Sequence, residues 1–318
     1  MKKALTVLLI LVVSGLGLAA AASAPDQPLK GKISISGAWA LYPMAQKWVE
    51  EFTKAYPDVK IDVQAGGAGK GIADTLAGMV DIGMVSRDVH PAEVEKGALA
   101  LAVTKDAVVA TISAKNTQLK DILSRGAQKE ALVGLWISGA TKTWGQVIGT
   151  ADKSDVQVFT RSDACGAAET WAAYLGKHQE DLQGVGVYGD PGVADAVRRD
   201  PKSVGFNNVN FAYDPKSKKP VEGLAILPLD LNGNGKIDPE ENFYATRDQI
   251  CAAIADGKYP SPPARDLYLV TKGVPSSNVV KAFLRWVLTK GQAFVSETGY
   301  INLSQEKLDK GLTLLGEK

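Results

Sequence analysis

Val59-Lys60-Ile61-Asp62-Val63-Gln64-Ala65-Gly66-Gly67-Ala68-Gly69-Lys70-Gly71 alternates apolar and polar residues, then empties into a run of glycines. A period of two marks a half-buried strand, and the glycines mark a turn where the chain keeps side chains out of the way. A short helix is expected over 72–79 and a further strand over 81–85. Upstream, 32–36 alternates in the same manner and runs into Gly37-Ala38-Trp39-Ala40-Leu41. Pro43 then opens a helical pattern carried by Met44, Trp48, Val49, Phe52 and Tyr56, and proline suits the first position of a helix. Order βαβαβ with short connections predicts a parallel sheet with helices on its faces, an α/β fold.

The middle of the chain repeats this logic. A strand is expected over 156–160, then the loop Arg161-Ser162-Asp163-Ala164-Cys165-Gly166, a helix over 167–175, another over 193–199 and a strand over 203–206. Near the end, 265–271 reads as a strand, and 279–289 and 292–298 as helices, with Phe283, Trp286 and Val287 on an apolar face. Two α/β lobes fit a chain of 318 residues at about 150 residues for each domain.

The chain opens on Lys2 and Lys3, an almost wholly apolar stretch at 4–22, and Ala22-Ser23-Ala24. That pattern predicts a signal peptide over 1–24 and a periplasmic or otherwise extracytoplasmic protein; the other reading is a retained membrane anchor. With 36 basic against 35 acidic side chains, the chain presents no field for nucleic acid or a membrane surface. Its two histidines, His90 and His178, lack any context that marks a catalytic base, so no enzyme is expected. Cys165 and Cys251 in an exported chain predict a disulfide, worth about 4–5 kcal/mol on the chain-entropy model. Two separate buried thiols are the alternative.

Three turns rich in glycine or other small residues stand out: 37–41, 66–71 and 161–167. A helix N-terminus exposes unpaired N–H groups and the positive end of its dipole. Small residues such as Gly67, Ala68 and Gly69 let an anion approach that backbone, so turns of this kind are ready oxyanion sites. Ligands of open α/β sheets sit at the carboxyl ends of strands, where all three turns fall. A buried oxyanion needs a countercharge, and the fork of Arg161 fits two oxygens; a salt bridge at the surface or between lobes is its other reading. Arg87 and Lys70 are further candidates, with solvated surface charge as their alternative. Asp88 or Asp163 could accept the proton of monohydrogen phosphate, or simply cap a turn. Trp39 either walls the cleft or packs in a core.

The same loops carry a resemblance. Ser36-Gly37-Ala38-Trp39-Ala40-Leu41-Tyr42-Pro43, Ala65-Gly66-Gly67-Ala68-Gly69-Lys70-Gly71-Ile72-Ala73, Val80-Asp81-Ile82-Gly83-Met84-Val85-Ser86-Arg87, Thr143-Trp144-Gly145-Gln146-Val147 and Arg161-Ser162-Asp163-Ala164-Cys165-Gly166 follow in order. Tyr259-Pro260, Gly291-Gln292 and Gly299-Tyr300 continue the series. Together they resemble the substrate-binding proteins of phosphate importers of the ATP-binding-cassette type. The resemblance implies a two-lobed periplasmic binding protein of the venus-flytrap kind (type II) with hinge-linked lobes, one over 28–110 plus 265–318 and the other over 111–264. It implies a monomer that captures phosphate and delivers it to a membrane permease. Carried over residue by residue, the anion would meet the backbone of Ala38, Trp39, Ala40 and Leu41, then Ser86, Arg161, and the turn Cys165, Gly166, Ala167. The chain departs from the family where hydroxyls are usual: Ala38 and Trp39 in the first loop, Ala68 in the glycine loop, and Cys165 and Ala167 in the third. Each missing hydroxyl removes a hydrogen bond to a charged group, about 1.5–3 kcal/mol, leaving backbone N–H groups, Ser86, Ser162 and Arg161. Another oxyanion, such as tungstate, molybdate or sulfate, or a role as a sensor's ligand subunit, therefore stands beside phosphate.

A second motif is separate from the cleft. Asp230-Leu231-Asn232-Gly233-Asn234-Gly235-Lys236-Ile237-Asp238-Pro239-Glu240-Glu241 matches the twelve-residue loop of an EF-hand. Side-chain oxygens fall at Asp230, Asn232, Asn234, Asp238 and Glu241, with the carbonyl of Lys236 between them. This predicts a structural Ca2+ site over 230–241, with an affinity near ~10⁻⁴–10⁻³ M typical of extracellular modules; a polar turn held by Asx hydrogen bonds is the alternative.

Overall fold

The computed structural model describes residues 29–316; the expected leader over 1–24 lies outside the described residues. Alternating segments become strands where expected, and glycine turns end them. The strands are β1 (Gly31–Gly37), β2 (Val59–Ala65), β3 (Ile82–Val85), β4 (Ala98–Ser113), β5 (Gln157–Arg161), β6 (Val185–Val187), β7 (Ser203–Asn208), β8 (Leu224–Ile226) and β9 (Ala264–Lys272). They join in one sheet of order β2-β1-β3-β9-β4-β7-β5-β6, with β8 paired to β4 off that path. β1 runs parallel to β2 and β3, and β5 runs parallel to β6 and β7. Between these two parallel groups lie β4 and β9, antiparallel to each other.

The hydrophobic core has two main parts, beside a small third cluster of Val193, Val197 and Leu224. One half holds Trp48, Phe52, Met84, Leu101, Leu269, Phe283 and Trp286, with no member between Val103 and Leu267. The other holds Val109, Trp136, Trp171, Phe206 and Ile250, and runs from Ala107 to Ala264 with Ile301 added. β4 therefore passes from one core to the other at mid-length and β9 near its start, and the two-lobed α/β architecture hinges on that crossing. In the first half Trp48 is wholly buried and donates its indole N–H to the Gly291 carbonyl at 2.8 Å. Phe52 meets Phe283 edge-on at 5.1 Å. In the second, Trp171 lies stacked on Phe206 and edge-on to Trp136.

Four features differ from the sequence expectations, the first being the helix expected over 292–298, which is a 3-10 turn at Lys290–Phe294 followed by turns. The helix expected from 72 starts earlier, as Ala68–Leu76, because Gly67 at φ +90° turns the chain hard enough for the glycine run itself to begin the helix. β4, the longest strand, is not announced by alternation: twelve of its residues, including 106–113, are buried, so both faces are covered and the period of two is lost. The expected disulfide is corrected, since Cys165 and Cys251 are both free thiols. Cys165 caps the helix Gly166–Tyr174, its Sγ accepting from the Ala168 amide at 3.4 Å. Cys251 lies on the helix Arg247–Ala255, its Sγ against the Gly299 carbonyl at 3.5 Å. Burial pushes each thiol up to about 12, so both stay protonated at neutral pH. Among the described residues no helix is long and apolar enough to cross a membrane.

At the crossing, Asp106 of β4 pairs in register with Arg265 of β9. Asp106 is fully buried, and neither carboxylate oxygen finds a hydrogen bond of good geometry, though the Ala107 and Val209 amides lie close. Burial pushes its carboxyl up to about 7, with Arg265 only partly opposing. The unfolded chain ionises an aspartate near ~4, so between those values the folded chain binds the extra proton and its stability falls as pH rises. The melting temperature of wild type should therefore fall more steeply from pH 5 to pH 8 than that of Asp106→Asn. Parallel slopes in a thermal melt series would contradict this assignment.

Candidate functional site

Close backbone contact brings the first lobe's turns together. A methyl carbon on Gly37, at φ +131°, would stand 2.3 Å from the Met84 carbonyl oxygen and 2.8 Å from the Gly71 Cα. Only glycine lets the ends of β1 and β3 lie this close to the helix Ala68–Leu76. The Gly37 carbonyl accepts from the Gly66 and Gly67 amides at 2.8 and 3.1 Å, and the Ala38 amide donates to the Met84 carbonyl at 2.8 Å. Trp39–Leu41 then makes a single 3-10 turn. In the second lobe, β5 delivers Arg161 to the start of the helix Gly166–Tyr174. The side chain of Gln179 clamps the intervening loop, accepting from the Cys165 amide at 3.0 Å and donating to the Asp163 carbonyl at 2.7 Å.

These turns face one another and touch. The Gly69 amide donates to the Ala164 carbonyl at 3.1 Å, and a methyl on Gly67 would lie 3.0 Å from Asp163 Oδ2. A methyl on Gly166 would stand 2.2 Å from the Ser86 carbonyl oxygen and 2.3 Å from its Oγ. Trp39 is half-buried, seated over Gly189 and edge-on to Tyr188 at 6.2 Å and Phe211 at 6.3 Å. It walls the cleft from the first lobe against aromatic rings of the second. The lobes stand in the closed arrangement.

At the centre lies Arg161, whose side chain is wholly buried between two carboxylates. Its Nε donates to Asp163 Oδ1 at 2.8 Å, its Nη2 to Asp163 Oδ2 at 2.6 Å, and its Nη1 to Asp190 Oδ2 at 2.6 Å. Burial works against this charge, but the Asp190 and Asp163 carboxylates outweigh it and hold the guanidinium firmly protonated. Asp190 also accepts from the Asn208 amide and its Nδ2, both at 2.8 Å. A guanidinium has five N–H groups; three are committed here, and two carry no hydrogen bond. The amides of Gly166 and Ala167, the first residues of their helix, have no helical acceptor and add a positive dipole end. The arrangement can hold a small oxyanion by N–H groups; it holds no nucleophile paired with a base.

Of the residues singled out in sequence, Ala38, Ala40, Leu41, Gly67, Ala68, Ser86, Arg161, Cys165, Gly166 and Ala167 are buried in or beside this junction. Gly69 is half-buried in it. Ser162 is exposed, against Gly186. Arg87 forks onto Glu93 at 2.9 and 2.7 Å and lines a neighbouring cavity of about 540 Å³ with Lys105, Glu169, Tyr268 and Lys307. Lys70 pairs with Asp74, and Asp88 accepts from the Tyr268 hydroxyl at 3.1 Å. Sequence reasoning missed Asp190, Asn207, Asn208 and Arg265. The first three lie just past β6 or at the carboxyl end of β7, so the strand-end rule applied to those strands would have reached them.

In the loop over 230–241, Asp230 Oδ1 accepts from the Gly233 and Asn234 amides at 2.8 and 3.2 Å, and its Oδ2 from Gly235 at 2.9 Å. Asn232 Oδ1 accepts from the Asn234 amide at 3.0 Å and Asn234 Oδ1 from Lys236 at 3.1 Å. Asp238 Oδ2 accepts from both asparagine side chains, at 3.0 and 2.6 Å. Lys236 holds its carboxyl down to about 2. Glu241 reaches back to the Leu231 and Asn232 amides at 2.9 and 3.0 Å. Among the described residues no three His, Cys, Asp or Glu side chains could hold a metal ion by themselves, so a fit to calcium depends on the amide oxygens of Asn232 and Asn234 and the Lys236 carbonyl. All of these are hard oxygen donors of the kind calcium takes.

A family model described as a PBP superfamily domain matches residues 22–290. The phosphate-binding protein PstS of Bacillus subtilis is 27% identical over 290 residues, covering 90% of this chain and 85% of that protein. That of Pseudomonas aeruginosa is 26% identical over 350 residues, covering 99% of each. An ABC-type phosphate transport receptor from Vibrio cholerae superposes with a TM-score of 0.62 at 19% identity, over 86% of this chain and 100% of that one. A high affinity periplasmic phosphate-binding protein solved with phosphate bound superposes with a TM-score of 0.68 at 13% identity, over 89% and 93%.

The contact at Gly166 generates a test. Gly166→Ala places a methyl against Ser86 across the closed cleft, so the lobes should be held apart. Small-angle scattering should show a larger radius of gyration for the variant, with its melting temperature within a few degrees of wild type. A variant as compact as wild type would contradict the closed contact.

Proposed function

The chain belongs to the PBP superfamily, and from that premise we propose that it is an exported solute-binding protein that captures phosphate between its lobes for an ATP-binding-cassette importer. The observation that carries the reading is the meeting of three small-residue turns around Arg161, which retains two free N–H groups beside the unpaired amides of Gly166 and Ala167. Relatives that cover nearly the whole chain are phosphate-binding proteins. On this reading the turns 38–41 and 67–69 contribute those backbone N–H groups not already given to the Met84, Ala38, Gly37 and Ala164 carbonyls, namely Trp39, Ala40 and Ala68, Ser86 contributes its hydroxyl, and a ligand touching both lobes holds them closed. The protein acts as an extracytoplasmic monomer and delivers its cargo to a membrane permease.

A second reading, another tetrahedral oxyanion, is favoured by one feature. Ala38, Ala68, Cys165 and Ala167 place no hydroxyl where the anion would sit, and the Cys165 sulfur already accepts from the Ala168 amide. Backbone N–H groups discriminate among oxyanions less than shaped hydroxyls do. Titration calorimetry with phosphate, arsenate, sulfate, molybdate and tungstate separates the two: tightest binding of phosphate supports the first, and no heat from any of the five overturns both. Arg161→Lys keeps one charge between Asp163 and Asp190 but loses the fork, and should weaken phosphate binding by about 10–100-fold. Unchanged affinity would remove Arg161 from the site.

The loop over 230–241 is proposed to hold a structural calcium ion through Asp230, Asn232, Asn234, Asp238, Glu241 and the Lys236 carbonyl. Ligand binding to the folded state alone raises stability. Chelation from about 100-fold saturating calcium should therefore lower the melting temperature by about 5–10 °C, an effect absent from Asp230→Ala. Identical melts with chelator and with millimolar calcium would contradict the site.

A further inference from the structure

We propose that Arg265, on the hinge strand, is a positioning residue for the anion site: it orients Arg161 through Asn208 and Asp190 while tying both lobes to the hinge. The inference rests on the anion-binding reading above. Arg265 has a side chain 9% exposed and divides its N–H groups three ways. Nε donates to the Ser86 carbonyl of the first lobe at 3.3 Å, and Nη2 donates to Asn208 Oδ1 of the second. Nη1 faces Asp106 at 3.8 Å and has no hydrogen-bond partner.

The bond to Asn208 has a directional consequence. A side-chain amide carries an acceptor at one end and donors at the other. With Oδ1 taken by a guanidinium, Asn208 must turn Nδ2 toward Asp190, where it donates at 2.8 Å. The reverse orientation would set an amide oxygen against a buried carboxylate. Asp190, thus held by the Asn208 side chain and amide and by Asn207, presents Oδ2 to Arg161 Nη1 at 2.6 Å. That bond, with the fork onto Asp163, decides where the two spare N–H groups of Arg161 point. Supporting shells of this kind control how accurately a binding group is aimed.

The gap between Arg265 Nη1 and Asp106 leaves that end of the guanidinium held by charge alone. At 3.8 Å the two groups attract without a hydrogen bond, and neither Nη1 nor the Asp106 oxygens have a partner of good hydrogen-bond geometry.

Calorimetry with phosphate on Arg265→Lys, Arg161→Lys and the double variant tests this. Arg265→Lys keeps the charge beside Asp106 and loses the fork. It should weaken phosphate by about 10-fold, the loss of one charge-assisted hydrogen bond, with a phosphate-free melting temperature close to wild type. Because Arg265 acts through Arg161, the double variant should bind within about threefold of Arg161→Lys alone. Full multiplication of the two losses, or wild-type affinity in Arg265→Lys, overturns the inference while leaving the anion site standing. Asn208→Ala, which cuts the middle link, is judged by the same criterion should Arg265→Lys fail to fold. A wild type that binds none of the five oxyanions overturns the anion reading and this inference with it.

Discussion

A guanidinium buried between two carboxylates governs the rest of this molecule. Arg161, Asp163 and Asp190 are withdrawn from water together, and burying charges costs several kcal/mol for each ion unless geometry and further hydrogen bonds offset it. The geometry is good, with three contacts of 2.6–2.8 Å. One positive against two negative charges still leaves an excess of negative charge, and the fold answers it with neutral donors. The Gly189 amide donates to Asp163 at 3.1 Å, and Asn207 and Asn208 converge on Asp190. On the proposed reading, an anion entering this place would meet N–H groups that the folded chain already holds in position.

The sheet makes that centre possible. Parallel strands in each lobe send their carboxyl ends toward the cleft, and the antiparallel pair β4 and β9 fixes how far apart the lobes stand. Glycines at 67, 69 and 166 let the two backbones come within contact distance, so the gap is set by main chain. Main-chain amides carry no rotamer freedom to lose, which favours them as ligands for a small, highly charged guest. The aromatic contact of Trp39 with Tyr188 and Phe211 adds apolar area that excludes water from the same junction.

Much of this could be read from residues alone. Alternation at 32–36 and 59–63 and the glycine runs that follow them specify the first lobe with local information. Arg161 could be named because it ends a strand and begins a turn. Its partners could not all be, since Asp190 lies 29 residues away and is brought in by β6 and the helix Gly189–Arg199. Asn208 and Arg265 meet Asp190 and Ser86 only through the order of strands in the sheet, and a single sequence does not declare that order. β4 was missed for the opposite reason: its burial on both faces erases the alternation that would reveal it. The disulfide expectation treated two cysteines as partners on compartment alone. The fold instead uses one as a helix cap and seats the other against the segment near Gly299.

One diffraction experiment addresses the central claim, that both lobes aim their N–H groups at a single buried anion. Crystals grown with arsenate, measured at the arsenic absorption edge, should give one anomalous peak within hydrogen-bonding distance of Arg161 and the amides of Gly166 and Ala167, beside Ser86. A peak confined to the cavity near Lys105, or closed lobes with no arsenic between them, would contradict it.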